Sequence, residues 1–280
     1  MHQLDLHQYD RVRPLFANLR DNLVVDSVLD GHTPGWVYAG DADAPRVAWL
    51  WNRMDAMLVA GDPGDNDTAT RLATVIRDRA VPDARSRGIP ELSLFYDGPA
   101  WEAQARALAC PWQPELAWRR VYTFDRLRID WRAGMPPGAH MLPIDRALLD
   151  DDGLENVGSV QGWVLSFWPS YAAFVETGFG FALRVGDTIA SWCLTVYASG
   201  DRRELGLATT PVHRGHGFAT LVAAATIDHA VGRGITPEWH CWDDNLPSIR
   251  VAEKVGFVEP ERYTVFRFEI ESAPCSSSEP

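Results

Sequence analysis

Apolar and polar positions alternate with two different periods along this chain, and each change of period marks an element. Val12, Leu15, Phe16 and Leu19 fall three and four apart, which predicts an opening amphipathic helix over residues 9–22. Val24 to Leu29 then runs into Gly31-His32-Thr33-Pro34-Gly35, where glycine and proline end regular structure. Short apolar runs at 36–39, 47–51 and 56–60 predict strands, the last two joined by a turn at 52–55. A loop at 61–67 precedes helical spacing over 68–80 and 101–108, with a strand at 92–96 between them. Alternation over 119–132 predicts the strand that closes this mixed α/β first half.

Gly134-Met135-Pro136-Pro137-Gly138 disfavours both helix and central strand, so the domain boundary is expected there, with domains at 1–135 and 136–273. The second half reads as a strand at 139–144, helices within 146–177, and strands at 179–185, 188–197 and 203–210. A helix at 217–231, a strand at 238–242, a helix at 246–255 and a closing strand at 262–270 follow. The polar residues 274–280 are expected to be a disordered tail. No sequence repeat is visible, although the element order of the first half would fit a diverged copy of the second.

Composition narrows the classes. With 280 residues, 46% of them hydrophobic, the chain can form two ordinary globular cores. No apolar run approaches the ~18 residues of a membrane span, and the N-terminus lacks the basic and apolar blocks of a signal peptide. A cytoplasmic setting without membrane contact is expected. Cys110, Cys193, Cys241 and Cys275 lack metal-ligand spacing, so neither a disulfide nor a metal site is expected. A net charge of -12 argues against nucleic acid as a partner and permits a neutral or cationic substrate. Lys254 is the only lysine, a bias that arginine makes up elsewhere.

The most specific chemistry lies at Thr209-Thr210-Pro211-Val212-His213-Arg214-Gly215-His216-Gly217-Phe218-Ala219, which joins a strand to a helix through a glycine-spaced turn. Two glycines remove the Cβ atoms that would hold a ligand off the backbone, and the free N–H groups of the following helix then face an arriving phosphate. Downstream, Asn245-Leu246-Pro247-Ser248 opens a helix with a good cap, and Gly256-Phe257 ends it. In this order and spacing the two motifs resemble the GNAT superfamily of acetyl-CoA-dependent N-acyltransferases, over about residues 138 to 270. The resemblance implies an α/β fold with a mixed, mostly antiparallel sheet in the C-terminal half. It also implies acetyl-CoA as cosubstrate, with the pyrophosphate at Arg214, Gly215, His216, Gly217, Phe218 and Ala219 and the pantetheine arm near Leu207, Ala208, Thr209, Asn245 and Ser248. Val28-Leu29-Asp30-Gly31-His32-Thr33-Pro34-Gly35 is similar to a stretch in two-part GNAT acetyltransferases. Two residues depart from the family pattern: Val212 stands where Gln or Arg is common, and Ala252 where many members carry the Tyr that protonates the leaving thiolate.

Alternation in the strand at 203–210 puts Leu205 and Leu207 on one face and Glu204, Gly206 and Ala208 on the other. The nearly bare second face would let an extended arm lie against it, or would admit a packed neighbour, and a bulge would break the pattern. Glu204 is the candidate general base, its other reading being an ion pair with Arg202 or Arg203. Ser248, Tyr263 and His240 are the candidate acids, and a strand histidine also suits simple packing. Trp163, Phe167, Trp168 and Tyr171 share helical spacing and suit either a core stripe or an aromatic acceptor pocket lined by Trp163, Trp168 and Tyr171. The expected function is transfer of an acetyl group to a primary amine of a small molecule by direct attack in a ternary complex. The alternatives are a non-catalytic CoA sensor, or an acyltransferase using a protein N-terminus or a longer acyl-CoA.

Overall fold

The computed structural model describes residues 1–19, 22–64 and 66–270, and the chain forms two compact units. The first comprises residues 1–118 together with the chain from Tyr263 onward. It begins with β1 (His2–Gln3) and two 3-10 stretches, Leu6–Arg11 and Arg13–Leu19, in place of the expected amphipathic helix. Pro14 withholds a donor there, and the backbone bonds three residues back, from Val12 to Tyr9 and from Leu15 to Val12. Residues 20 and 21 of that expected helix lie outside the described residues. The first α-helix, α1 (Leu23–Leu29), starts where the Asn22 side chain accepts from Val24 N at 3.2 Å.

Three strands follow as an antiparallel meander, β2 (Trp36–Ala39), β3 (Val47–Trp51) and β4 (Ala56–Gly61), and the Asn52 side chain holds the last turn by accepting from Met54 N and Ala56 N. Then come α2 (Asn66–Val75), a π-helical stretch (Ile76–Ala80), α3 (Val81–Ser86), β5 (Glu91–Tyr96) parallel to β4, and α4 (Pro99–Ala109). Trp49, Trp51, Trp101, Leu72 and Ile76 fill the core of this unit. Across β5 lies an antiparallel segment of the last strand of the chain, Phe266 to Glu269.

The second unit, Arg119–Arg262, begins inside β6 (Glu115–Phe124). The chain therefore passes between units ahead of the Pro-Gly stretch, which is a loop within the second unit. The expected strand 119–132 stops at Phe124 because Asp125 N and Arg128 N turn to the carbonyls of Gly256 and Val255. After β7 (Ala139–Pro143) come three helices, α5 (Arg146–Leu149), α6 (Val157–Phe167) and α7 (Tyr171–Thr177). Next are β8 (Gly180–Val185), β9 (Thr188–Ser199), β10 (Arg202–Thr209), α8 (Phe218–Gly232), β11 (Thr236–Trp242), α9 (Leu246–Val255) and β12 (Phe257–Glu269), whose end belongs to the first unit. The sheet order in this unit is β6-β11-β10-β9-β8-β7, antiparallel except for the β10–β11 pair.

Alternation along the strands sorts the side chains of this sheet onto two faces. Leu183, Cys193, Leu205, Trp239 and Cys241 meet α8 and α9 in one core, where Ala223 and Ala224 let α8 lie close to the strands. The opposite face takes α6: Trp163 stands edge-on to Trp192, with ring centroids 5.9 Å apart, and Phe167 edge-on to Tyr197 at 5.5 Å. Burial of large aromatic surfaces on both sides fixes the sheet between its helices.

Candidate active site

Strand β10 is paired with β9 along its whole length but with β11 only at its start, through Arg202↔Thr236, Arg203↔Pro237 and Glu204↔Glu238. Beyond Glu204 the two parallel strands part, and β11 turns its pairing from Trp239 to Trp242 onto β6. The register with β9 slips between Glu204 and Leu205, so a bulge marks the point of divergence. Thr210 N donates to Ala190 O, which sets the phase of the β9–β10 ladder. By antiparallel alternation the amides of Ala208 and Gly206 then face β9, while those of Leu205, Leu207 and Thr209 face the cleft that β11 has left. Such an edge accepts an extended amide chain as an added strand.

The open approach is therefore the strand edge and not the bare face. A Cβ built on Gly206 would lie 2.5 Å from Val196 Cγ1 and 3.0 Å from a ring carbon of Trp163, so packed neighbours occupy the space that glycine creates there.

The cleft ends at the glycine turn. Gly215 and Gly217 have φ of 81° and 80°, in the region that favours glycine, and no atom lies within 4 Å of a Cβ built on either. Helix α8 starts beyond Gly217, and its first backbone bonds run from Thr220 N and Leu221 N to Gly217 O, leaving the amides of the turn ahead of the ladder. His216 stacks on the buried Phe218 ring at 5.5 Å, and Thr210 holds His213 Nδ1 at 2.8 Å. Arg214 is exposed and reaches back toward the Thr209 carbonyl at 3.4 Å. Val212 is 80% exposed, so the side chain that departs from the family pattern stands free at the rim. An anion on these amides would meet the positive end of a buried helix, and the turn fits a pyrophosphate.

On the α6 face, at the point of divergence, buried polar side chains gather. Glu204 lies opposite Glu238 in the parallel register, and Glu238 is ion-paired with Arg202. His240, two residues along β11, is buried, with Nε2 3.9 Å from the Glu238 carboxylate. Burial, with the nearby charges of Arg119 and Arg202, pushes its pKa down to about 3, so the ring is neutral and holds no imidazolium proton to donate. The Arg119 guanidinium stacks over Trp242, 4.7 Å from the ring centroid. Glu238 escaped the sequence reading because its neighbours Trp239 and Cys241 dominate the strand pattern. Its signal is the alternation Glu238, His240, Trp242, which places all three on one face beside Glu204.

The other sequence candidates are dispersed. Ser248 sits in the first turn of α9, where Asn245 accepts from its backbone N at 3.2 Å, and its hydroxyl accepts from Trp239 Nε1 at 3.0 Å. It thus faces the α8–α9 core, across the sheet from Glu204 and His240. Ala252 is fully buried in that core. Tyr263 belongs to the first unit, its ring 6.1 Å from that of Phe95.

The aromatic stripe of α6 breaks at Trp168, which leaves the helix in an extended conformation ahead of Pro169. Trp168 is a core residue, 1% exposed, its Nε1 donating to Thr195 O at 2.8 Å, and does not line a pocket. Tyr171 opens the next helix, α7, with the Arg146 guanidinium over its ring. The thiols of Cys110, Cys193 and Cys241 are free, and burial raises that of Cys193 to about 12. Among the described residues no group of three His, Cys, Asp or Glu side chains is arranged to hold a metal, and no helix is long and apolar enough to cross a membrane.

A parallel strand pair splayed around an amide-lined edge, ending in a glycine turn at a helix N-terminus, defines a class of acyl-CoA-dependent transferases. The sequence profile of the GNAT acetyltransferase family matches residues 13–266, and the chain belongs to that family. It is an acyltransferase that uses an acyl-CoA. It is 24% identical to the uncharacterized N-acetyltransferase YdfB of Bacillus subtilis (strain 168) over 266 residues, 95% of this chain and 98% of that one. Among solved structures, a GCN5-related N-acetyltransferase-like protein from Streptococcus suis 89/1591 superposes with a TM-score of 0.65 at 20% identity, over 94% of this chain and 98% of the other. A tandem GNAT protein from the clavulanic acid biosynthesis pathway gives 0.56 at 16% identity, over 96% and 97%.

Proposed function

We propose that the Arg119–Arg262 unit moves an acetyl group from acetyl-CoA to a primary amine of a small molecule, by direct attack in a ternary complex. The observation that carries this reading is the parting of β10 from β11 after Glu204, with the glycine turn at the far end of the opened edge. Acyl-CoA supplies the activated thioester. The amides of Gly215 to Ala219 hold its pyrophosphate, and the cleft-facing edge of Leu205, Leu207 and Thr209 aligns the pantetheine arm. The Leu205 and Leu207 N–H groups polarise the thioester carbonyl as charge develops on its oxygen. Glu204, beside the vertex of the cleft, takes the proton of the incoming ammonium, directly or through water. A thiol with a pKa of ~8.5 leaves as thiolate without much help, which suits a helix carrying Ala252 in place of a phenol.

The first unit repeats the order of the second: an antiparallel meander, helices, a parallel strand and a helix. This supports a two-part GNAT protein in which that half has lost its cofactor. Thiol release from acetyl-CoA across a panel of amino acids, polyamines and aminoglycosides tests the reading. Glu204→Gln is expected to lower turnover of the best amine by ~10²-fold with little change in acetyl-CoA affinity. Wild-type turnover in that variant would remove Glu204 from the mechanism.

A further inference from the structure

We infer that Trp163 is the wall that limits the acyl group to short chains, an inference that rests on the cofactor cleft described under the proposed function. Its indole lies across β10 at Gly206, between the two residues, Leu205 and Leu207, whose amides face the cleft. The ring is locked from two sides, edge-on to Trp192 at 5.9 Å and against Phe167 at 6.1 Å, and Phe167 is itself held by Tyr197 at 5.5 Å. Trp192 and Tyr197 are both buried on β9, so the wall is backed by the packed sheet. Gly206 is required for this approach, because a Cβ there would meet Trp163 at 3.0 Å and Val196 at 2.5 Å.

Polar groups line the same face at the vertex: Glu204 and Glu238 stand opposite each other where the strands still pair, and His240 is buried beyond Glu238 along β11. An acyl chain growing toward the α6 face from a carbonyl held at Leu205 and Leu207 thus meets either the packed indole or a row of polar side chains. Displacing the first costs packing, and burying methylenes against the second leaves charged groups desolvated. A methyl group fits within these limits and an extended alkyl chain does not.

The test is calorimetric titration of the full chain with acetyl-CoA, butyryl-CoA and octanoyl-CoA, which needs no knowledge of the acceptor. Free CoA reports the phosphate and pantetheine contacts alone. The wild-type chain is expected to bind acetyl-CoA at least ~10-fold more tightly than octanoyl-CoA. Trp163→Ala is expected to reduce that ratio at least ~10-fold, and Trp163→Leu, which keeps an apolar side chain for packing, to change it in the same direction by less. Equal wild-type affinity for acetyl-CoA and octanoyl-CoA would overturn the inference while leaving the proposed function standing. So would unchanged discrimination in folded Trp163→Leu. Failure of the wild-type chain to bind even free CoA would overturn both.

Discussion

At the residue scale, a few positions of the second unit are held against strong local forces. Gly217 has a left-handed backbone and open space above it, which is what an anion site requires of the residue before a helix. Gly217→Asp puts a like charge where the pyrophosphate would sit, and is expected to abolish the thermal stabilisation by acetyl-CoA. A ligand-induced shift that survives in this variant would move the phosphate site elsewhere. His240 makes a separate prediction, because its pKa is about 3 in the folded chain against an ordinary 6.5. Between these values the unfolded chain binds a proton that the folded chain refuses, so stability rises with pH. The stabilisation is complete above 6.5 and is lost as pH falls toward 3, with a limiting slope of about 1.4 kcal/mol per pH unit. Melting temperatures at pH 7.5 and 5 should therefore fall further apart in the wild-type chain than in His240→Gln. An equal fall in both would mean that the ring is protonated in the fold or titrates normally.

At the element scale, sequence reasoning worked where local chemistry decides and failed where long-range pairing does. The helix α9 was legible because its signals are local: Asn245 as cap, Pro247 in the first turn and Gly256 as stop. Gly256 has φ of 119°, and a Cβ there would lie 1.8 Å from the Arg126 carbonyl oxygen, whereas the space over Gly215 is open. Gly256→Ala is accordingly expected to cost more than ~2 kcal/mol and Gly215→Ala only about 1 kcal/mol, as read from urea unfolding. Equal costs would place the Arg126 carbonyl away from the helix end. The glycine turn was legible for the same local reason. The cleft was not, because where β10 and β11 part, β11 pairs with β6, a partnership some 120 residues apart in sequence. Equally hidden was the direction of the Leu207 and Ala208 amides, which alternate with the ladder to β9. The opening helix failed through Pro14, and the aromatic stripe through Pro169, two breakers set within helical spacing.

At the scale of the whole molecule, the two units share an order of elements but differ where a cofactor would enter. In the second unit β10 loses β11 after Glu204. In the first, β4 and β5 stay paired from Ala56↔Ser93 to Val59↔Tyr96, and Asp97 N continues the ladder to Val59 O. Only Ala60 and Gly61 of β4 run past that ladder, whereas β10 runs on from Leu205 to Thr209 past its last pair with β11. Among the described residues of the turn after β4, Gly61 is filled by the Arg46 carbonyl, 2.3 Å from its would-be Cβ, and Asp62 is ion-paired with Arg46. A carboxylate at that place repels phosphate, and Pro63 offers no N–H. One acetyl-CoA per chain is therefore expected by calorimetry, and a stoichiometry of two would place a second cofactor site in the first unit. The same topology says where the chain can be cut. A fragment beginning at Gly138 lacks Arg119 to Tyr122, the residues that pair with Trp242 to Trp239, and leaves β11 without the neighbour that draws it from β10. Such a fragment should lose cooperative unfolding and acetyl-CoA binding together, because its cleft is held open by a strand encoded ahead of the Pro-Gly loop. Binding of normal affinity by that fragment would show that β11 parts from β10 without help from β6.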